Sequence, residues 1–271
     1  MNKPVFIRSF FIVLLAAFAL VSCGKFRKIE KSEDWRVKYE AAMQYYEEEE
    51  YYRASVLFEQ ILPIVRGMPE GEKVQFYYAY AQYYQGMYTL GAHHFKTFYE
   101  TYGRSEFAEE AYFMYAYSLY ADSPAFNLDQ TNSEQAVMAM QMFLNRYPTS
   151  ELVKEASDVV NEIQEKLERK GYENAKQYYK LENYNAAVVA FESFSNNFPD
   201  SEFNEEISYL KFIAQYQYAM KSIYTKQLER FREANKYYLE FLDKYPSSDF
   251  LRDAEKSYQE SLEKVSDLAQ L

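Results

Sequence analysis

Four stretches of this chain end in the same way: FKTFYETYGRS at 95–105, MQMFLNRYPTS at 140–150, FESFSNNFPDS at 191–201 and YLEFLDKYPSS at 238–248. Each carries an aromatic residue or Met, a Phe three residues later, an aromatic four after that, then Pro or Gly, then Ser. Steps of three and four place those side chains on one stripe of an α-helix. The Pro stops the helix, and the Ser behind it can cap the next one. A unit this small cannot bury its own apolar face, so recurring copies have to stack on one another. That requirement restricts the chain to a narrow set of helical architectures.

Each ending is preceded, four residues before its first large side chain, by a small residue: Gly91, Ala136, Ala187 and Ala234. A weaker copy stands earlier as Ala54, Phe58, Ile61 and Val65, so successive copies lie 37, 45, 51 and 47 residues apart. Twelve residues further upstream a second small residue recurs as Ala42, Ala79, Ala175 and, less well, Ser222, with Tyr45 and Tyr178 three residues on. Small residues at these points let paired helices approach closely. The expected fold is all-α: a superhelical solenoid of about five helix pairs with a C-terminal capping helix. The pairs fall at about 34–66, 70–103, 106–148, 168–199 and 202–246; residues 151–167 bridge the third and fourth, and 249–268 form the cap that hides the last apolar face. An unrelated helical bundle would leave the shared ending unexplained. The segment SPAFNLDQTNSEQAV, 123–137, interrupts the third pair, and Thr131 with Glu134 reads as a T-x-x-E capping box for the helix that follows.

Composition agrees with helices, since only 7 Gly and 7 Pro punctuate the chain. The 41 acidic residues outnumber 30 basic ones, a balance that argues against nucleic-acid binding. Tyrosine is abundant, with 30 copies. A tyrosine can pack its ring and offer its hydroxyl to water or a partner, so the excess marks either a binding surface or half-buried helix positions.

The N-terminus carries a separate signal. Lys3 and Arg8 precede an unbroken apolar run from Phe10 to Val21. The run is too short to span a bilayer and has the length of a signal-peptide core. It ends in Leu20-Val21-Ser22-Cys23, and Cys23 is the only cysteine. The sequence resembles a bacterial lipobox, which implies removal of residues 1–22 as a lipoprotein signal peptide. Acylation of Cys23 and a lipidated linker over 23–33 follow from the same likeness, with the solenoid over 34–271. A short membrane anchor, or an ordinary secretory signal with a chance cysteine, is the alternative. Without a second cysteine the mature chain has no disulfide, and packing must supply its stability.

These landmarks together resemble a known family. The small residue and Tyr in a first helix, then Ala, Phe and Pro in a second, match the tetratricopeptide repeat. The lipobox, the five repeats, the insertion with Ser123, Pro124, Leu128, Asp129, Gln130 and Thr131, and the segment YYKLENYNAAVVAFESFSNNFPDS at 178–201 are similar to the BamD family over nearly the whole chain. That family comprises tetratricopeptide lipoproteins of the outer-membrane β-barrel assembly machine. The resemblance implies an adaptor without catalytic residues, cofactor or metal, lipid-anchored at the periplasmic face of the outer membrane. It implies docking on the periplasmic domains of a BamA-like barrel-forming subunit, and receipt of unfolded outer-membrane proteins whose last strand ends in an aromatic residue. The residues after Cys23 are Gly24-Lys25-Phe26-Arg27-Lys28, without the Asp that in lipoproteins favours inner-membrane retention.

In a tetratricopeptide stack the first helix of each pair lines the inner face. The positions there are Arg36, Tyr39, Met43 and Tyr46 in repeat one, and Lys73, Phe76, Tyr80 and Tyr83 in repeat two. They are Glu110, Phe113, Tyr117 and Tyr120 in repeat three, and Arg169, Tyr172, Lys176 and Tyr179 in repeat four. Aromatic residues with a cation suit an extended peptide that has aromatic side chains and a terminal carboxylate, which Arg36 or Lys73 could hold. Any single tyrosine could equally be a packing residue within its repeat.

Other features carry less. His93 and His94 point about 100° apart on a helix and do not converge on a metal. The run EEEEYY at 47–52 reads as a solvated helix end. No phosphate loop, nucleophile elbow or zinc motif is present. A periplasmic repeat scaffold in cell division or cell-wall synthesis, and a hydrolase using a Glu in a deep cleft, are the competing functions.

Overall fold

The structure, a computed structural model, describes residues 24–270, so Cys23 and the signal segment lie outside the described residues. Helical residues 24–30 precede eleven α-helices. These are α1 (Trp35–Glu47), α2 (Tyr51–Val65), α3 (Pro69–Tyr84), α4 (Tyr88–Thr101), α5 (Ala108–Ala121) and α6 (Thr131–Arg146), then α7 (Val153–Lys180), α8 (Tyr184–Asn197), α9 (Asn204–Met220), α10 (Tyr224–Lys244) and α11 (Leu251–Ala269). No strand occurs among the described residues. The architecture is that of tetratricopeptide helix pairs, α1/α2, α3/α4, α5/α6, α7/α8 and α9/α10, followed by α11.

The repeated sequence ending makes the same turn four times. Tyr102, Tyr147, Phe198 and Tyr245 each donate their N–H to the carbonyl of the Phe four residues back, closing the second helix. The Ser three residues on then accepts, through Oγ, the N–H two residues ahead: Phe107 at 3.0 Å, Leu152 at 3.0 Å, Phe203 at 3.1 Å and Phe250 at 3.2 Å. Three of these acceptor turns deliver a Phe that stacks on a first helix: Phe107 on Phe76 at 4.6 Å, Phe203 on Tyr172 at 4.2 Å and Phe250 on Tyr209 at 4.8 Å.

The turn inside a pair is also reused. Glu50, Met87 and Asn183 donate their N–H five residues back, to Tyr45, Gln82 and Tyr178. The residue before each is left-handed: Glu49 at φ 60°, Gly86 at φ 75° and Glu182 at φ 57°. This is the Schellman helix ending, with glycine only in repeat two. The acidic run Glu47–Glu50 is therefore the exposed last residue of α1 and the turn after it.

The chain forms two compact units. The first runs to Ala125 and resumes over Asp129–Ile163; the second holds Phe126–Leu128 and the chain from Gln164 on. In the first, Ala42 and Ala54 are fully buried with Leu57, Phe58, Ile61 and Val65. In the second, Phe191, Phe194 and Ile207 form one cluster, and Phe212, Phe231 and Phe241 another. The small residues Ala79, Ala136, Ala175, Ala187 and Ala234 are buried as their spacing requires.

Three expectations are corrected. Residues 151–167 do not end before the fourth pair: Val153–Lys180 is one helix. Gly171 inside it is a point of close approach, since a Cβ there would lie 3.1 Å from the Phe198 ring and 3.2 Å from that of Phe194. Ser222 is not the small residue of the fifth pair's first helix, because α9 has already ended; its Oγ accepts from the Arg230 guanidinium. The capping box at Thr131 does not form. Thr131 is already helical, Gln130 precedes it, and Asp129 Oδ1 accepts the Thr131 N–H at 3.0 Å.

Candidate peptide-binding surface

The residues placed on the first-helix strips divide into two groups. Phe76, Tyr80 and Phe113 are buried and cannot line a groove. Phe76 packs against Phe107, Phe113 lies 5.5 Å from Phe143, and the Tyr80 hydroxyl donates to Glu110. Tyr39, Met43, Tyr46, Tyr83, Tyr117 and Tyr120 are half-buried, while Arg36 and Lys73 are exposed. Repeat four is also internally occupied. Tyr172 is buried, Arg169 lies 4.5 Å over Phe126, and Lys176 pairs with Glu206 at 2.7 Å.

In the first unit the half-buried rings form a continuous band. Tyr51 stacks on Tyr84 at 4.6 Å, Tyr46 meets Tyr77 at 4.9 Å and Tyr51 at 5.5 Å, and Tyr84 meets Tyr83 at 5.5 Å. Tyr83 continues to Tyr88 at 5.3 Å and to Tyr117 at 6.4 Å, and Tyr117 to Tyr120 at 5.4 Å. Tyr84, half exposed at 50 %, is a member that the strip positions miss. Its signal is the doublet: in 45–46, 77–78 and 83–84 adjacent tyrosines point about 100° apart. Tyr45 and Tyr78 turn into the core, and Tyr46, Tyr77, Tyr83 and Tyr84 join the band.

Burial, and after it the neighbouring phenols, push Tyr83 up to about 12. Tyr120 is pushed up to about 12 chiefly by its hydrogen bond to Glu162, at 2.6 Å, and then by burial. Burial also raises Tyr46 and Tyr80, with Glu110 adding to both. Tyr46, Tyr83, Tyr117 and Tyr120 are thus all held protonated, among the carboxylates of Glu110, Glu155 and Glu162. Such a surface favours apolar, aromatic or neutral hydrogen-bonding groups over anions.

The cations stand elsewhere. Arg36 lies in the first turn of α1 and Lys73 is the fifth residue of α3, each ten residues before Tyr46 or Tyr83, or about 15 Å along its helix. Arg36 lies 4.6 Å over Trp35, and neither cation forms an ion pair among the described residues. The helix ends themselves are already matched by carboxylates: Asp34 Oδ1 accepts the Arg36 N–H at 2.9 Å, and Glu70 and Glu72 lie in the first turn of α3. What this end offers is the two exposed cationic side chains, apart from the tyrosines.

The insertion motif is structural. Gln130 is buried; its amide donates to the Ala125 carbonyl at 2.9 Å and accepts from Ser133 Oγ at 2.7 Å. Ser123 and Ser133 hydroxyls lie 2.7 Å apart. Pro124 is half-buried, and Asp129 and Thr131 are exposed. Among the described residues no group of His, Cys, Asp or Glu is placed to hold a metal, and no helix is long and apolar enough to cross a membrane.

A family model described as YfiO, outer membrane lipoprotein, matches residues 32–188 and again 168–266. A search of curated proteins finds no match. Among solved structures, the TPR2AB-domain:pHSP90 complex of yeast Sti1 superposes with a TM-score of 0.39 at 10 % identity, over 84 % of this chain and 98 % of that one. A Podospora anserina kinesin light chain with nearly identical TPR-like repeats superposes at 0.34 and 12 % identity, over 76 % and 97 %.

Proposed function

The chain belongs to the YfiO family of outer-membrane lipoproteins, and from that premise we propose that it is a lipid-anchored, non-enzymatic adaptor of the machinery that assembles β-barrel proteins in the outer membrane. Cys23 carries the acyl chains and holds the repeats at the periplasmic face. The repeats dock on the periplasmic domains of a BamA-like subunit and receive unfolded outer-membrane proteins.

One observation carries the receiving role. The first helices of repeats one and two each place an unpaired cation about 15 Å from a tyrosine band. A peptide extended at about 3.3 Å per residue covers that distance in four or five residues. Its terminal carboxylate would meet Arg36 or Lys73, and its aromatic side chains the rings of Tyr46, Tyr83 and Tyr84.

The test is a mild-detergent pull-down of the lipidated protein with mass spectrometry of what is bound. Recovery of a barrel-forming subunit supports the assembly role. Recovery of division or cell-wall proteins without it assigns the scaffold elsewhere. For the surface itself, Arg36→Ala with Lys73→Ala should weaken a peptide with a free C-terminal aromatic residue by about tenfold and leave its C-terminal amide unaffected. Equal loss for both peptides would refute the carboxylate contact.

A further inference from the structure

The segment that follows Cys23 is docked onto repeat one. Phe26 and Ile29 pack against the cluster of Ala42, Tyr45 and Leu57. The Phe26 ring meets Tyr45 edge-on at 5.8 Å, and the Arg53 guanidinium lies over both rings, at 5.7 Å and 5.6 Å. Ser32 N–H donates to the Ile29 carbonyl at 2.9 Å, and Ser32 Oγ accepts the Asp34 N–H at 3.2 Å, which leads into α1.

That docking sorts the segment by face. At 100° per residue, Phe26 and Ile29 point to one side and Arg27 and Lys28 to the remaining arc; Lys25 stands at its edge, in a cleft with Ile29, Glu48 and Glu50, and Lys31 follows in the turn. All four cations are exposed. They stand within seven residues of a chain whose net charge is −11.

We propose that this basic face binds the anionic headgroups of the leaflet that holds the acyl chains, so that repeat one is pressed to the membrane surface and is not hung on a loose tether. The inference rests on the acylation of Cys23 proposed above. Gly24 is the next residue in the chain. An acylated Cys23 lies at headgroup level, and Lys25 to Lys28 follow at about 1.5 Å of helix rise per residue. They fall inside the roughly 8 Å over which charges act in physiological salt. Ammonium groups pair with headgroup phosphates as point charges, and Arg27 can do so bidentately. The acidic majority of the chain is repelled by the same surface, so the two effects together orient the molecule with this end inward.

The lipidated full-length product is reconstituted into phosphatidylcholine vesicles with and without phosphatidylglycerol, then treated with a membrane-impermeant amine-acylating reagent. Intact mass reports the acyl chains, and peptide masses report each lysine. Lys25, Lys28 and Lys31 should react about fivefold more slowly on the anionic vesicles. Lys226 and Lys236, exposed in the second unit, should not change. High salt should abolish the difference, as should the exposed-face variant Lys25→Glu, Arg27→Glu, Lys28→Glu, which leaves Phe26 and Ile29 in place. Equal labelling of an acylated chain on both vesicles overturns the proposal while the anchor stands. Protection that appears only on adding envelope proteins overturns it in favour of an acidic protein partner. A chain without acyl mass overturns the anchor and this inference together, and the mass alone distinguishes that failure.

Discussion

At the scale of the residue, the tyrosine excess has a use that a groove does not explain. Four hydroxyls on first helices donate to a Glu on a following helix, three times the next first helix and once α11: Tyr80 to Glu110, Tyr120 to Glu162 at 2.6 Å, Tyr172 to Glu206 at 2.5 Å and Tyr216 to Glu260 at 2.7 Å. Phe would fill the same space but leave each carboxylate without that donor. At Tyr172 the carboxylate is shared with Lys176. Burial works against both charges, but the hydrogen bonds between them outweigh it and hold Lys176 above and Glu206 below their usual ranges. Tyr172→Phe should therefore cost about 1 kcal/mol in urea unfolding. Tyr178→Phe, at an exposed ring with no such partner, should stay within about 0.5 kcal/mol. His94 gives a pH-dependent counterpart. Burial, then the neighbouring His93, push its imidazole down to about 4, against an ordinary value of 6.5. The unfolded chain thus takes up the proton first, so stability is constant above pH 6.5 and falls as pH drops toward 4. After discounting for the ring's partial exposure, the loss between pH 7 and pH 5 should be about 1 kcal/mol. His94→Phe should flatten it. Glu206 does not contribute in that window, because its stabilisation is lost only below the ordinary carboxylate value of 4.5.

At the scale of the element, what was legible in the sequence depended on whether residue type and position said the same thing. Alanine or glycine recurring at one frame position has one physical reading, close helix approach, and Ala54, Ala136, Ala187 and Ala234 are indeed fully buried. The aromatic–Pro–Ser ending likewise has one reading, and its Ser caps in all four copies. Tyrosine has two readings. Periodicity alone assigned Tyr80 to a surface, where the fold buries it, and passed over Tyr84, which the fold exposes. Phe76 was misplaced for a further reason: Phe107, delivered by the Ser turn, comes from the next repeat and covers it, while Phe113 packs within its own pair against Phe143. The Schellman turns were hidden because two of the three left-handed positions hold Glu, a residue that does not announce a positive φ. This yields a prediction. Glu49 adopts φ 60° and forms no ion pair among the described residues, while the equivalent Gly86 adopts φ 75° at no steric cost. Glu49→Gly should raise stability by about 0.5–1 kcal/mol, read as a higher urea midpoint. A lower midpoint would mean that the glutamate side chain contributes more than its backbone conformation costs.

At the scale of the whole molecule, each unit carries its own buried clusters, and within a unit each helix packs chiefly on its sequence neighbours. Stability in such an array is a sum over repeats and their interfaces, so damage need not spread evenly. Phe241 tests this. It is 1 % exposed and shares a cluster with Phe212, Phe231, Tyr238 and Ala254, drawn from α9, α10 and α11. Phe241→Ala removes the ring and leaves a cavity, a loss of about 3–5 kcal/mol. Hydrogen exchange should then rise through α9 to α11, while α1 to α3, whose core is built from Ala42, Leu57, Phe58 and Val74, keep their protection. A uniform rise across both sets would mean that the chain opens as one cooperative body. The distinction bears on the adaptor role proposed above. If the first unit holds its tyrosine band independently of the last repeats, a partner that remodels the C-terminal helices can leave that band intact. If the chain opens as one body, binding at either end changes the stability of the other.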